Sequence, residues 1–473
     1  MESIGTKESL EQLRKINNSF PERKFHEHTS ILYDIRTILG PTLIHYLEIG
    51  SYVGSSASLI CSHKYPSTIT CIDPFNLNIG HFNGTLNQYQ TFQKNTTMHN
   101  TNHYLIDSIQ DFSTSQSVKE YLKKNNKQFN IIYIDGDHSA NSIRNDFFLA
   151  NMNIAKNGLI VFDDYFDFQY SPEVHTTVNS ICNFIFFNDM NYIIYPALLN
   201  TNHSESYPIN NIPRFNNIIL QQTDISKLSI PKIAIVGCTY RRKNGLTKEY
   251  LERLKQILQC QTFQDFTLIL VGDDYERPDE LFDIWNNYSG KKIIENLAFT
   301  YRGKFANHYN NWSMGGITAI YHAYKIAAKN KFDLCFHIDD DDIWEPNHIE
   351  VIFKAYKYFP FASIFNTASK YENQILPREW EKSIYYNNNI KMSENVVHSS
   401  IALNMKYMET HILKHMNHLV TTCEEKKNSL EKIYPGDASF YLEIEKLITE
   451  GLLNQVYIPI ITCNKKTDKN FPI

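Results

Sequence analysis

Short apolar runs that end in carboxylates recur along this chain, and they restrict its fold more than any other feature. FNIIYID (129–135) leads into Gly136-Asp137-His138, and GLIVFDD (158–164) closes on Asp163 and Asp164. FTLILVGDD (266–274) closes on Asp273 and Asp274, and FDLCFHIDDDDIW (332–344) carries four consecutive acids. Each run has strand length, is apolar throughout rather than alternating, and is separated from its neighbours by helix-length stretches. A strand that is apolar on both sides needs cover on both sides, the pattern of a parallel α/β sheet. Acids at the tips of parallel strands emerge along one edge, where such sheets bind ligands.

The pattern occurs twice. The first half opens with a polar, helix-like segment near 6–39, followed by TLIHYLEI (42–49), STITCID (67–73) and HYLID (103–107). The second restarts with PKIAIVGCTY (231–240) and a helical stretch in which Leu251, Leu254, Ile257 and Leu258 share a face. Between them NTNHSESYPINNIPRFNN (200–217) carries Pro208 and Pro213 and no period. We therefore expect domains at 1–205 and 231–473 joined by a linker at 206–230, within the two or three domains that 473 residues allow. The two halves share no repeated motif.

Composition removes several function classes. Lys and Arg total 46 against 51 Asp and Glu, a net charge of −5, which does not suit a nucleic-acid coat. No apolar run of about 18 residues predicts a membrane span. The charged opening segment MESIGTKESLEQLRKINNSF has no apolar centre and is expected not to be a secretory signal. The eight cysteines form no CxxC pair, so buried reduced thiols and a cytoplasmic location are expected. Richness in Asn, Ile, Lys and Tyr suggests an AT-rich genome, that of a large DNA virus or a bacterium; for a virus the location becomes the host cytoplasm. The motifs carry no signal for oligomeric state.

In the first half, Glu48-Ile49-Gly50-Ser51-Tyr52-Val53-Gly54 passes from strand to helix, and Asp73 ends the next strand. Such a loop lets backbone approach a ligand closely, and a carboxylate at Asp73 suits ribose hydroxyls; a purely structural turn is the alternative. Asp135, Asp163 and Asp164 crowd one edge, which a shared Mg²⁺ would relieve. His138, three residues after Asp135, suits a general base. Solvated turn residues are the alternative here.

LEIGSYVGSS, CIDPF, IDGDHSANSIRNDF and GLIVFDDY together resemble the class I S-adenosylmethionine-dependent methyltransferases, above all the metal-dependent sugar O-methyltransferase type. The match covers roughly 40–200. The resemblance implies a Rossmann-like domain that binds S-adenosylmethionine, with Glu48, Gly50 and Ser51 lining its methionine part and Gly54 a further cofactor-binding residue. Asp73 would take its ribose, and Asp107 or Ser108 would lie by adenine. Asp135, Asp163 and Asp164 would hold Mg²⁺ or Mn²⁺, with His138 as base. Tyr52 departs from the family by replacing a glycine.

In the second half, Asp339, Asp340, Asp341 and Asp342 make a poor stability device and a plausible divalent-metal site; a solvated acidic turn is the alternative. Asp273 and Asp274, with Thr239 and Arg241, lie at the same strand edge. Asp437 stands at a helix start, where Asp is also a common N-cap. IAIVGCTYRR, LKQILQCQTFQDFTLILVGDD, HIDDDDIWEPNHIE and PGDASFYLEI resemble the GT-A glycosyltransferases of family 2. The resemblance implies that Thr239, Arg241, Asp273, Asp274 and Asp339 contact a UDP- or GDP-type sugar donor, and that Asp341 and Asp342 hold Mg²⁺ or Mn²⁺. Asp437 would be the base of an inverting transfer, and His398 a further metal ligand, an acceptor contact or a loop histidine. The two resemblances imply one enzyme that transfers a sugar to a glycan acceptor and methylates a sugar hydroxyl. The alternatives are a glycosyltransferase with an inactive methyltransferase-like domain, and a non-catalytic glycan-binding or virion protein.

Overall fold

A computed structural model describes residues 6–19, 27–75, 87–165, 167, 171–197, 217–377, 385–386, 392, 396–450 and 452–465. The chain forms two compact units, Met1–Lys227 and Leu228–Ile473.

The first unit holds a seven-stranded sheet. Its strands are β1 (Ile44–Ile49), β2 (Ser67–Ile72), β3 (Ile106–Ile109), β4 (Phe129–Ile134), β5 (Ile154–Phe162), β6 (Tyr192–Ala197) and β7 (Asn217–Gln222), in the order β3-β2-β1-β4-β5-β7-β6. β1 to β5 run parallel; β7 pairs antiparallel with both β5 and β6. In β1, β2 and β4 residues of both parities are buried, so both sheet faces are covered, as the unbroken apolar runs require. β1 has β2 on one side and β4 on the other, which places a topological switch point at its carboxyl end.

The expected linker is shorter than 206–230. Residues 217–222 form β7, whose Ile218, Ile219 and Leu220 are fully buried; its apolar core, IIL, is only three residues long, too short to stand out beside the Pro-containing stretch. The run at 103–107 also starts its strand late, at Ile106, after His103 with φ +54°.

The second unit is built on a sheet whose main path is β10-β9-β8-β11-β16-β13-β17-β12. The strands are β8 (Ile233–Thr239), β9 (Phe266–Asp273), β10 (Lys291–Leu297), β11 (Leu334–His337), β12 (Ile343–Trp344), β13 (Ile364–Tyr371), β14 (Gln374–Leu376), β15 (Tyr385–Tyr386), β16 (Ile401–Asn404) and β17 (Gln455–Lys465). β8 to β11 form a parallel block. β16 then pairs antiparallel with β11 and β13, and β17 runs parallel to β13. The helix expected after β8 spans Thr247–Gln259 and buries Leu251, Leu254 and Leu258. The helix Gly436–Thr449 packs Phe440, Tyr441 and Ile444 into the core. That contact fixes its first turn, which carries Asp437.

Candidate functional site

In the first unit, the loop after β1 is shaped by close approach. A Cβ on Gly50, at φ +89°, would lie 2.0 Å from the carbonyl oxygen of Asp135, so only glycine fits there. Tyr52 adopts φ +46°, a left-handed conformation that glycine takes at least cost. Its N–H donates to Asp73 Oδ2 at 2.8 Å. Asp73 Oδ1 accepts from the Phe75 N–H at 2.7 Å and from Gln88 at 3.1 Å. Glu48 is fully buried and accepts from Tyr46 at 2.7 Å and Ser56 at 2.6 Å. Burial pushes its carboxyl up to about 7, against the lowering effect of those hydroxyls. Asp107 pairs with Lys127 at 3.2 Å, and Ser108 shares a hydrogen bond with Tyr89 at 2.9 Å.

Beside this loop, at the tips of β4 and β5, Asp135, His138 and Asp164 bring one ligand atom each within 4.8 Å of one another. His138 Nε2 lies 3.8 Å from Asp135 and 3.5 Å from Asp164, while its Nδ1 meets Ser171 Oγ at 2.6 Å. Burial and the neighbouring Asp163 raise Asp135. The same two effects raise Asp164. Hydrogen bonding to Asp135 raises His138 despite burial. Asp135 and Asp164, partly exposed and short of compensating charge, fit a divalent cation, with the His138 ring beside them.

Asp163 differs from its neighbours. Its Oδ1 accepts from Asn217 at 2.7 Å and lies 3.0 Å from His28 Nε2, and its Oδ2 accepts from Tyr133 at 2.6 Å. It groups with His28 and Asp164 rather than with the open trio. Burial alone would raise Asp163, but His28 outweighs it and holds the carboxyl low. His28 responds in kind: burial would lower it, and Asp163 raises it. Sequence reasoning missed His28 and Asn217. Neither lies near a recognisable motif; each reaches Asp163 only through tertiary packing.

In the second unit, the four acids after β11 point in different directions. Asp340 is held by Arg242 through two hydrogen bonds, 2.8 and 2.6 Å, and also accepts from Thr239 at 2.6 Å. Arg242, with a side chain 4 % exposed, sits over the rings of Tyr240 and Tyr250. Arg241, expected at the donor edge, instead pairs with Glu280 at 3.0 Å and Glu276 at 3.6 Å and is 49 % exposed. Of two adjacent arginines the buried one reaches the acid run, and no periodicity in a loop separates them beforehand. Asp339 lies 3.1 Å from His337 and 3.5 Å from Lys465. Burial would raise its carboxyl, but the hydrogen bond to His337 and the charge of Lys465 hold it well below the usual range. Asp342 is buried, with no hydrogen-bond partner on either oxygen and Lys465 at 3.7 Å; burial pushes it up.

Asp273 pairs with Arg302, whose guanidinium stacks 3.8 Å from the Tyr240 ring. Asp274, at φ +61°, pairs with Lys304 at 2.9 Å. A cavity of about 800 Å³ opens beside the acid run, and Asp339, Asp341, His398, Asp437 and Lys465 line it. Thr239, Arg241, Asp273, Asp274 and Asp342 are not among its walls. His398 stacks on His337 at 3.6 Å, and burial with the charge of His337 keeps its imidazole neutral. Asp437 is not the helix cap, which is Pro435; it lies in the first turn and accepts from the Ala438 N–H at 2.8 Å. Among the described residues of this unit, no three metal-ligating side chains converge as they do in the first. The expected pair Asp341 and Asp342 does not fit a metal, because Asp342 turns inward to Lys465 while Asp341 faces the cavity.

Residues 47–165 match the model of a methyltransferase domain family. A protein of Acanthamoeba polyphaga mimivirus called an uncharacterized glycosyltransferase is 32 % identical over 244 residues, covering 49 % of this chain and 92 % of its own length. A second uncharacterized protein of that virus is 30 % identical over 173 residues, 37 % of this chain and 75 % of its own. Among solved structures, S. aureus TarS in complex with UDP is 13 % identical with a TM-score of 0.35. It covers 49 % of this chain, which spans only 60 % of that TarS chain. An O-methyltransferase from Bacillus cereus in complex with SAH is 13 % identical with a TM-score of 0.30, covering 46 % of this chain and 90 % of its own.

Proposed function

We propose a function from one premise: this chain belongs to the family of the mimivirus glycosyltransferase, and its residues 47–165 are a methyltransferase domain. It is a transferase in which the second unit moves a sugar from a nucleotide-sugar donor to a glycan acceptor and the first methylates a sugar hydroxyl. The observation that carries this reading is the cavity of about 800 Å³ on which Asp339, Asp341, His398 and Asp437 meet.

In the second unit Asp437 accepts the acceptor hydroxyl proton. The freed oxygen bonds to the anomeric carbon on the face opposite the departing nucleoside diphosphate, whose carbon–oxygen bond breaks with its electron pair.

In the first unit Gly50, Ser51, Gly54 and Asp73 form the wall for S-adenosylmethionine, which supplies the methyl group. Buried Glu48 braces that loop through Ser56 at 2.6 Å. Asp135 and Asp164 are the carboxylates for a divalent cation. A cation held there would offset the negative charge that raises His138. His138 then takes the acceptor proton at Nε2, while Ser171 fixes the ring through Nδ1 at 2.6 Å. Asp163 positions this edge through His28 and Asn217. Two mimivirus relatives suit glycan synthesis in the cytoplasm of an infected host.

The test supplies methyl-labelled S-adenosylmethionine and labelled UDP- and GDP-sugars to the full chain with a set of glycan acceptors. Both labels should reach product. Glycan binding with transfer of neither label would replace this reading with the non-catalytic one.

A further inference from the structure

We infer that Lys465 is the resident cation of the second unit's donor site, holding the donor diphosphate so that this unit transfers without a divalent metal. The inference rests on reading that unit as a nucleotide-sugar transferase.

A diphosphate cannot approach a run of four carboxylates unless their charge is answered. A metal would answer it by gathering two or more of them around one point. Here the carboxylates diverge. Asp340 is taken by Arg242 at 2.6 and 2.8 Å. Asp339 is shared between His337 at 3.1 Å and Lys465 at 3.5 Å, and Asp342 faces Lys465 at 3.7 Å. Of the four, Asp339 and Asp341 alone reach the cavity wall. The chain has placed an ammonium where a metal would bridge.

Lys465 is also free to do more than neutralise. Its two ion pairs, at 3.5 and 3.7 Å, are long beside the roughly 2.7–2.9 Å of a committed charged hydrogen bond. An ammonium carries three N–H donors, so some remain for the cavity that Lys465 lines. One buried neighbour points the same way: the ring of His337, 2 % exposed and on the same cavity wall, leaves Nδ1 without a partner. His398 adds a neutral imidazole to that wall, able to offer an N–H to an anion without charge repulsion from Lys465. Lys465 ends β17 (Gln455–Lys465), a strand held between β13 and β12 in the sheet, which fixes where its side chain starts.

The test is calorimetric titration of UDP and of GDP into the full chain, with EDTA or with Mn²⁺. The wild-type chain should bind its nucleotide within about twofold in the two buffers. Lys465→Met should weaken binding by about tenfold, the scale of a lost hydrogen bond to a charged group, and Lys465→Arg should restore most of it. Wild-type binding that falls about tenfold in EDTA overturns the inference alone, as does a Lys465→Met chain that binds like wild type. The wild-type comparison stands even where a substitution fails to fold. A chain that binds neither nucleotide in either buffer overturns the nucleotide-sugar reading and this inference with it.

Discussion

At the tips of β4 and β5, two carboxylates and an imidazole converge within 4.8 Å and leave their charge open to a cation from solution. After β11, four consecutive carboxylates diverge toward partners that the chain supplies: Arg242 for Asp340, His337 and Lys465 for Asp339, and Lys465 for Asp342. In sequence the two look alike, acids following an apolar strand. What separates them is where the counter-charges come from. A carboxylate that is buried must be answered. The first unit does this internally for Asp163, through His28, and leaves Asp135 and Asp164 facing outward. The second does it for three of its four acids.

The strongest way to break this comparison is to remove one base at a time. His138→Ala should lower methyl transfer by about a thousandfold and leave sugar transfer unchanged; Asp437→Asn should do the reverse. A single assay with both labelled donors reads the two effects together. If either substitution silences both reactions, the units are not chemically separate. Chelation sharpens the same point: EDTA should cost methyl transfer about a hundredfold, as loss of a cation that orients an oxygen and lowers its pKa would.

The buried pairs come next. Arg242→Ala leaves Asp340 charged and unpaired, and His28→Ala does the same to Asp163. Each should cost its own unit about 3 kcal/mol or more of stability, as breaking buried ion pairs does. The four tryptophans, at 285, 312, 344 and 380, all lie in the second half of the sequence. Tryptophan fluorescence in urea should therefore shift for Arg242→Ala and stay in place for His28→Ala, whose loss appears in circular dichroism. A fluorescence shift in His28→Ala would mean the units do not unfold independently.

These pairs also mark what the sequence could and could not convey. The parallel cores of both units were legible, because a strand buried on both faces needs an unbroken apolar run, and FNIIYI and TLILV have one. Two strands were not: β7 has an apolar core of only three residues, IIL, and the edge strand β10 (Lys291–Leu297) is nowhere fully buried. Asp135, His138 and Asp164 were legible because spacing from the strand end places them at one edge. His28 and Lys465 were not. Each lies more than a hundred residues from the acid it answers, and a lone His or Lys carries no local pattern. Asp163 was legible as a tip residue, but its inward turn depends on Asn217 and Tyr133.

A smaller effect concerns pH. Burial raises the Glu48 carboxyl from its ordinary 4.5 to about 7. A carboxyl raised on folding stabilises the fold below its unfolded pKa, and that contribution is lost as pH rises through the folded value. From the size of the shift, the first unit should lose about 3 kcal/mol between roughly pH 4.5 and 7 from this group. Glu48→Gln should remove that slope. A slope unchanged in Glu48→Gln would show that Glu48 is ionised throughout and that its hydroxyl partners outweigh burial.

The smallest effect falls beside one of the largest. Arg241 and Arg242 are neighbours in sequence, yet Arg241 is 49 % exposed and pairs with Glu280 and Glu276 at 3.0 and 3.6 Å, whereas Arg242 is 4 % exposed. Water screens the Arg241 pairs, and holding long side chains in place offsets much of their attraction, so such pairs contribute about 0.2–1 kcal/mol. Arg241→Ala should therefore move the urea midpoint of the second unit by a small fraction of what Arg242→Ala does, and high salt should erase the difference from wild type. Nucleotide binding should be unaffected, since Arg241 is not among the cavity walls. A large, salt-insensitive loss in Arg241→Ala would reverse the roles of the two arginines and reopen Asp340 as a group available to the donor.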